Sequence, residues 1–278
     1  MPYNPDAFSR DFPRAWLRAL VLLGLGLLSV VQAMAQCVKT VRWYDDAPYS
    51  FKTADGEVAG LNPDLVRAAL KGLNCDARFV ELPWARALRE LELGRLDILP
   101  GAFRTPEREK FAFFSRPVNR SPNVLFVAKA AAAKYRLKTL ADIASTEFRL
   151  GAQIGVAYGA DYEALVKTPA FAARITQVTS RRSAWKMIEL DRLDGIIADE
   201  NTGLVELQQM GLSDRIAKTD IIVSGEASMM ALSQASLTPE FVADFDRSLN
   251  ALMADGRYKK IVERYVPCAV IVSKLGCR

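Results

Sequence analysis

The stretch Glu92-Leu93-Gly94-Arg95-Leu96-Asp97 returns almost unchanged as Glu189-Leu190-Asp191-Arg192-Leu193-Asp194. Each copy runs straight into an apolar segment, Ile98-Leu99 in the first and Ile196-Ile197 in the second. A helix that ends in a short polar turn before a buried parallel strand is one half of an α/β unit. Its recurrence predicts a chain built from two similar α/β lobes, and the cleft between two such lobes is where a small ligand would sit.

The alternation of elements agrees with that plan. Val38–Tyr44 reads as a strand, and Asn62-Pro63-Asp64 as a helix start with Asn62 as the cap. Val66, Ala69, Leu70 and Leu73 follow on one helical face. Arg78–Glu81 is a second strand, and Pro83-Trp84 opens a helix that stops at Gly94. In the second half, strands are expected at 148–153, 175–178 and 195–198, with helices between them. Pro239–Met253 and Arg257–Tyr265 read as amphipathic helices that dock back on the first lobe. The expected organisation is a leader over 1–35, one lobe from 36–122 plus 228–278, and a second lobe from 123–227.

The leader is a secretory signal by its order of parts. Arg10, Arg14 and Arg18 precede an apolar run from Ala19 to Val31, and Ala33-Met34-Ala35 offers small residues for cleavage. The run is shorter than the ~20 residues a spanning helix needs. The mature chain is therefore expected to be soluble and periplasmic. Four cysteines, Cys37, Cys75, Cys268 and Cys277, fit an exported protein with disulfides. Proximity in sequence pairs Cys268 with Cys277 and leaves Cys37 for Cys75.

Composition removes several classes of function. The chain has no histidine, hence no Ser-His-Asp arrangement and no imidazole base. No cysteine pair has zinc-ligand spacing, and no metal or cofactor is expected. A formal net charge of +5 is mild, and no basic run argues for nucleic acid.

Five short motifs occur in order: Gly60-x-x-x-Asp64-Leu65, Gly94-x-x-Asp97, Thr105-Pro106-Glu107-Arg108, Phe114-Ser115-x-Pro117 and Arg192-x-Asp194 followed by Asp199. Over roughly residues 38–265 the chain resembles the extracytoplasmic solute-binding proteins of ABC transporters, of the polar amino-acid type. The resemblance implies a type II periplasmic binding fold of two Rossmann-like lobes and a monomer that closes on an amino acid or small carboxylate. It also implies delivery of that ligand to a membrane permease, and no enzymatic activity.

The resemblance also implies a site. Arg108 matches the residue that holds a ligand carboxylate, which suits a bidentate guanidinium. Asp199 matches the acid that holds an ammonium group, and Asp45 the acid that meets a cationic side chain. Tyr49 and Trp84 would form walls, with Gly101, Phe103, Gln153 and Ala157 completing the pocket. Each also has a structural alternative. Arg108 could pair with Glu107 and Glu109, Asp199 could cap a helix starting near Asn201, Asp45 could form a turn and Trp84 could be core. Phe103 and Val156-Ala157 depart from the family, standing where its members usually carry hydroxyls. Two further functions fit the same scaffold, an exported enzyme of the cyclohexadienyl dehydratase kind and a module that presents ligand to a sensor.

Overall fold

The computed structural model describes residues 36–266 and 270–277. The expected leader over 1–35 lies outside the described residues, and so does Cys268 of the expected Cys268–Cys277 pair.

The chain begins with β1 (Cys37–Trp43), a short hairpin of β2 (Phe51–Lys52) and β3 (Val58–Ala59), and helix α1 (Leu61–Lys71). β4 (Cys75–Glu81), α2 (Trp84–Glu92) and β5 (Ile98–Ala102) complete a β-α-β-α-β run. After α3 (Pro106–Glu109), β6 (Ala112–Phe114) and β7 (Asn119–Arg120), the chain passes to a second sheet with β8 (Asn123–Ala128) and α4 (Lys129–Tyr135). There follow β9 (Leu150–Gln153), α5 (Ala160–Val166), α6 (Pro169–Ala172) and β10 (Ile175–Val178). α7 (Arg181–Glu189), β11 (Gly195–Asp199), α8 (Glu200–Gln209) and β12 (Ile216–Ser224) close that half. β13 (Ala227–Ser233) returns to the first sheet before α9 (Pro239–Ala254) and α10 (Arg257–Tyr265).

One sheet runs β4-β1-β5-β13-β6 with β7 paired to β13, and the other runs β10-β9-β11-β8-β12. In each, a parallel trio is extended by antiparallel strands, β13 in the first and β8 in the second. The two chain crossings between sheets fall at 120–123 and 224–227. Alternation along the strands sorts their side chains to opposite faces. In β8, Leu125 joins Phe148, Leu150 and Phe171, whereas Phe126 packs edge-on against Trp185 at 5.4 Å on the other face. α9 and α10 close over α1, where Phe245, Leu249 and Tyr258 meet Leu65 and Leu70.

The sequence repeat is a structural repeat. Asp97 Oδ2 accepts the Thr40 N–H at 2.7 Å, and Asp194 Oδ2 accepts the Arg149 N–H at 2.7 Å. Each aspartate returns its own N–H to the same residue's carbonyl, at 3.1 and 2.9 Å. Both aspartates thus pin the strand they lead into beside its parallel neighbour, Ile98 opposite Val41 and Gly195 opposite Leu150. The turn before each reverses through a left-handed residue, Gly94 at φ 71° and Asp191 at φ 55°. Glycine suits that conformation and aspartate is among the residues that tolerate it.

One local expectation fails. The cap of α1 is Gly60, not Asn62, and the helix begins at Leu61. Gly60 has φ 121°, and a Cβ there would lie 2.6 Å from the Tyr49 carbonyl oxygen. The hairpin therefore presses against the helix start two residues before the Asn-Pro signal, and Asn62 is freed to face the cleft.

Cys37 and Cys75 stand opposite each other at the start of β1 and β4 and are joined as a disulfide, 38 residues apart. Closing a loop of this length restricts the unfolded chain by about 4 kcal/mol. The double variant Cys37→Ser/Cys75→Ser is expected to melt roughly 8–16 °C below the parent. A change of less than 2 °C by calorimetry would show that the sheet register alone fixes this edge.

Candidate functional site

Four strands deliver residues from their carboxyl ends to one cleft: Arg42 from β1, Gly101 from β5, Gln153 from β9 and Asp199 from β11. Ligand clefts of open α/β sheets form at this end, because helix starts and loops converge there. The cavity measures about 140 Å³. Residues of both sheets line it, so a molecule held there touches both halves of the chain.

Arg108 sits on the one-turn helix α3, whose Thr105 cap accepts the Arg108 N–H at 3.3 Å. Its guanidinium donates through Nη1 to the Phe103 carbonyl at 2.7 Å and through Nη2 to the Gly155 carbonyl at 2.9 Å. The side chain is 6% exposed, and no carboxylate of the described residues lies within ion-pair distance of it. The expected alternative of pairing with Glu109 is not realised, since Glu109 binds Arg104. Burial pulls the Arg108 pKa down to about 10, against the opposing pull of Glu163 and Glu107. It remains a cation at neutral pH, poorly solvated and lacking a counter-ion. An anionic group is the partner such a site calls for.

Trp84 is a wall of the cleft. Its ring lies near two guanidiniums, 5.4 Å from Arg42 and 5.6 Å from Arg108, and its Nε1 donates to the Gly155 carbonyl at 2.9 Å. The Gly155 carbonyl thus accepts from two residues of the first half of the chain. Gly101, Phe103, Gln153 and Ala157 also line the cavity. Phe103 contributes its backbone oxygen to Arg108.

Asp199 takes the capping role considered for it and also lines the cavity. Oδ1 accepts the Thr202 N–H at 3.0 Å and so caps α8, while Oδ2 accepts the Tyr49 hydroxyl at 3.4 Å. Asn201 Nδ2 donates to that hydroxyl oxygen at 3.0 Å. Burial raises the Asp199 pKa above its ordinary value, although Thr202, Ser121, Arg181 and Tyr49 all favour the carboxylate. Burial, then the Asp199 charge, also pushes the Tyr49 hydroxyl upward, so it stays protonated. No cation of the described residues pairs with Asp199.

Asp45 does not join the site. Its side chain is 52% exposed and pairs with Arg182 at 3.0 Å. The chain turns sharply after it, with Ser50 and Tyr49 N–H groups both donating to the Asp46 carbonyl. That turn points Asp46 inward, one helical-like step beyond Arg42, and Asp45 outward. The residue that faces the cleft is therefore Asp46.

Asp46 anchors a network that sequence reasoning missed. Its Oδ2 accepts Arg42 Nη1 at 2.9 Å and its Oδ1 accepts Arg181 Nη2. Arg181 also reaches Glu206, Nε to Oε2 at 3.3 Å and Nη2 to Oε1 at 3.2 Å. Glu206 Oε2 receives the Trp185 indole N–H at 2.6 Å. Burial alone would push the Asp46 carboxyl up, but Arg181 and Arg42 outweigh it and hold the carboxyl below the usual value. Arg42 carried a signal in the sequence, a charge between the core residues Val41 and Trp43. Arg181 carried none, because it becomes informative only when α7 meets β1 across the cleft.

The arrangement offers a buried cation, a buried anion, hydrogen-bonding walls and aromatic faces. Among the described residues no group of three or more Cys, Asp or Glu side chains is placed to hold a metal ion.

Comparison with known proteins agrees with this geometry. The family model for bacterial extracellular solute-binding proteins, family 3, matches residues 40–267. An L-arginine-binding protein of Pseudomonas aeruginosa is 27% identical over 266 residues, which span 90% of this chain and 96% of that protein. The ABC transporter arginine-binding protein 1 of Escherichia coli is 23% identical over 225 residues, 79% of this chain and 86% of its own. An ancestral arginine-binding protein bound to arginine superposes with a TM-score of 0.72 at 21% identity, covering 84% of this chain and 99% of that one. The fold is the two-lobed type II periplasmic binding fold. With the match running through both sheets, the chain belongs to the bacterial extracellular solute-binding proteins, family 3.

Proposed function

We propose that this protein captures a free α-amino acid in the periplasm and, as a monomer, hands it to the membrane permease of an ABC importer. The lobes 36–122 plus 228–278 and 123–227 close on the ligand about the two crossings. One observation carries the reading: Arg108 and Asp199 present a cation and an anion to one cavity, each without an ionic partner among the described residues. A zwitterion satisfies both at once, with its carboxylate on Arg108 and its ammonium on Asp199. Tyr49, Trp84, Gly101, Phe103, Gln153 and Ala157 supply the walls, and the amino-acid-binding relatives support the assignment.

The test is a thermal-shift and calorimetric screen of the mature chain, refolded from denaturant to remove carried-over ligand. At a hundred times its dissociation constant a ligand adds ~2.7 kcal/mol, a shift of roughly 5–10 °C. The same amino acid should be recovered chemically intact. Turnover would replace binding by the exported-enzyme reading, and silence across all amino acids would remove the proposal.

Asp199 makes the affinity depend on pH. Its folded pKa is raised by burial, so the ligand-free fold holds its proton more tightly than an unfolded chain does. The stability contributed by that proton is full below the ordinary value of about 3.9 and is lost as pH rises through the raised value. Ammonium binding has the opposite sign, because it needs the carboxylate. Asp46 is held ionised across the same window by its two arginines. Affinity is therefore expected to fall on acidification at a pH above that of an ordinary aspartate, with proton release on binding at and below the raised value, where the free carboxyl is protonated. Calorimetry in buffers of different ionisation heat would read this release, and Asp199→Asn should abolish it. A pH-independent affinity down to pH 4 would place the ammonium elsewhere.

A further inference from the structure

With Arg108 and Asp199 assigned to the two ends of a zwitterion, one wall of the cleft is left, where Arg42, Asp46, Arg181 and Tyr158 meet. A lone carboxylate on such a wall would receive a cationic side chain. Asp46 is not alone. It accepts Arg42 Nη1 on one oxygen and Arg181 Nη2 on the other, so both oxygens are already on guanidiniums. A third cation brought to Asp46 would lie beside two like charges, at a carboxylate whose two oxygens are each already engaged. Arg181's other anion, Glu206, is 2% exposed and also bound by Trp185. Such an arrangement discriminates by repulsion as much as by attraction.

The unused valences of this wall are donors. Arg42 uses Nε on the Leu82 carbonyl at 3.1 Å and Nη1 on Asp46, while Nη2 makes no hydrogen bond among the described residues. Arg181 uses Nε and Nη2, and its Nη1 likewise makes none. The Tyr158 hydroxyl accepts the Gln153 N–H at 2.9 Å and keeps its own proton to donate. Burial pushes that hydroxyl up to about 12, so the proton is present at neutral pH. The Arg42 guanidinium is held by the rings of Tyr44 and Trp84, at 5.3 and 5.4 Å, and its free edge is preorganised.

We propose that this wall selects a side chain carrying a hydrogen-bond acceptor: the cleft takes an α-amino acid with a distal carboxylate or carboxamide and turns away cationic side chains. The assignment rests on the amino-acid reading above. It sets this chain apart from the arginine-binding relatives, whose ligand would bring a third guanidinium to Asp46. A carboxylate satisfies more of the donors than a carboxamide, half of whose polar head is itself a donor.

The test is isothermal titration calorimetry of the refolded mature chain with glutamate, aspartate, glutamine, asparagine, alanine, lysine and arginine. The tightest of the first four should bind at least tenfold tighter than alanine and at least a hundredfold tighter than lysine or arginine. The acid and amide arms of the panel show which acceptor is preferred. Lysine or arginine binding tightest, or alanine binding as well as the acceptor-bearing ligands, overturns this assignment and leaves the amino-acid reading standing. Binding by none of them overturns both. Arg42→Gln keeps Asp46 on Arg181 and should narrow the acceptor-to-arginine ratio at least tenfold. An unchanged ratio in a variant that melts like the parent would also overturn the proposal.

Discussion

Arg108→Met is expected to weaken capture of the amino acid by two to three orders of magnitude and to leave the melting temperature within about 2 °C. On the proposed reading the guanidinium stabilises the bound state far more than the fold, so the two effects separate. Two charge-assisted hydrogen bonds to a carboxylate, each worth ~1.5–3 kcal/mol, disappear on substitution. Part of that is offset because the cation no longer has to be held desolvated, which leaves ~3–4 kcal/mol, or two to three decades in affinity. For the fold, the loss of donation to the Phe103 and Gly155 carbonyls is softened, since Gly155 keeps its bond from Trp84 Nε1. Removing a buried cation with no counter-ion is itself stabilising. Arg108→Lys should fall between, because an ammonium places a point charge where a planar fork is needed. Affinity of the Met variant within threefold of the parent, measured by calorimetry, would mean that the carboxylate docks on other donors.

Much of this architecture is legible in the sequence, for identifiable reasons. The repeated Glu-Leu-x-Arg-Leu-Asp run is readable because each final aspartate does the same local work, fixing the start of a parallel strand against its neighbour. That Arg108 and Asp199 reach the cleft is readable because the motif around each is contiguous and sets its own backbone, a Thr-Pro helix start and a strand end. What escapes is whatever depends on one turn's direction or on contact across the cleft. Asp45 and Asp46 are the same residue type in adjacent positions. Only the hydrogen bonds from Tyr49 and Ser50 to the Asp46 carbonyl decide which of them faces inward. Asn62 follows the rule for a helix cap, yet the tight approach of Gly60 to Tyr49 moves the start of α1 ahead of it. The edge strand β12 escapes as well, because Lys218 and Asp220 interrupt its apolar positions on an exposed face. Arg181 and Glu206 are unremarkable in sequence, and they acquire meaning when α7 brings Arg181 to Asp46 and α8 brings Glu206 to Arg181.

Glu206→Ala is expected to destabilise the protein by ~3–5 kcal/mol, a melting shift of roughly 10–15 °C. The carboxylate is 2% exposed, and it holds Arg181 through two contacts and the fully buried Trp185 through its indole N–H at 2.6 Å. Truncation leaves a buried donor on Trp185 without a partner and gives Arg181 a single anion, Asp46, in place of two. It also opens a void beside the edge-on Phe126–Trp185 pair. Glu206→Gln separates these effects, since an amide oxygen still accepts from Trp185 while the charge is gone. Its cost should be about half. Glu92→Ala on the solvent side of α2 removes the ion pair with Arg89, whose two side chains are 61% and 45% exposed, and should cost less than ~1 kcal/mol. If Glu206→Ala melts as close to the parent as Glu92→Ala does, the network stores no folding energy. The consequence of the expected result reaches the cleft. Arg181 without Glu206 brings a less compensated positive charge to the wall shared with Arg42. Affinity for a carboxylate side chain should then rise, or at least hold, even as the fold weakens, and stability and selectivity would move in opposite directions through one buried residue.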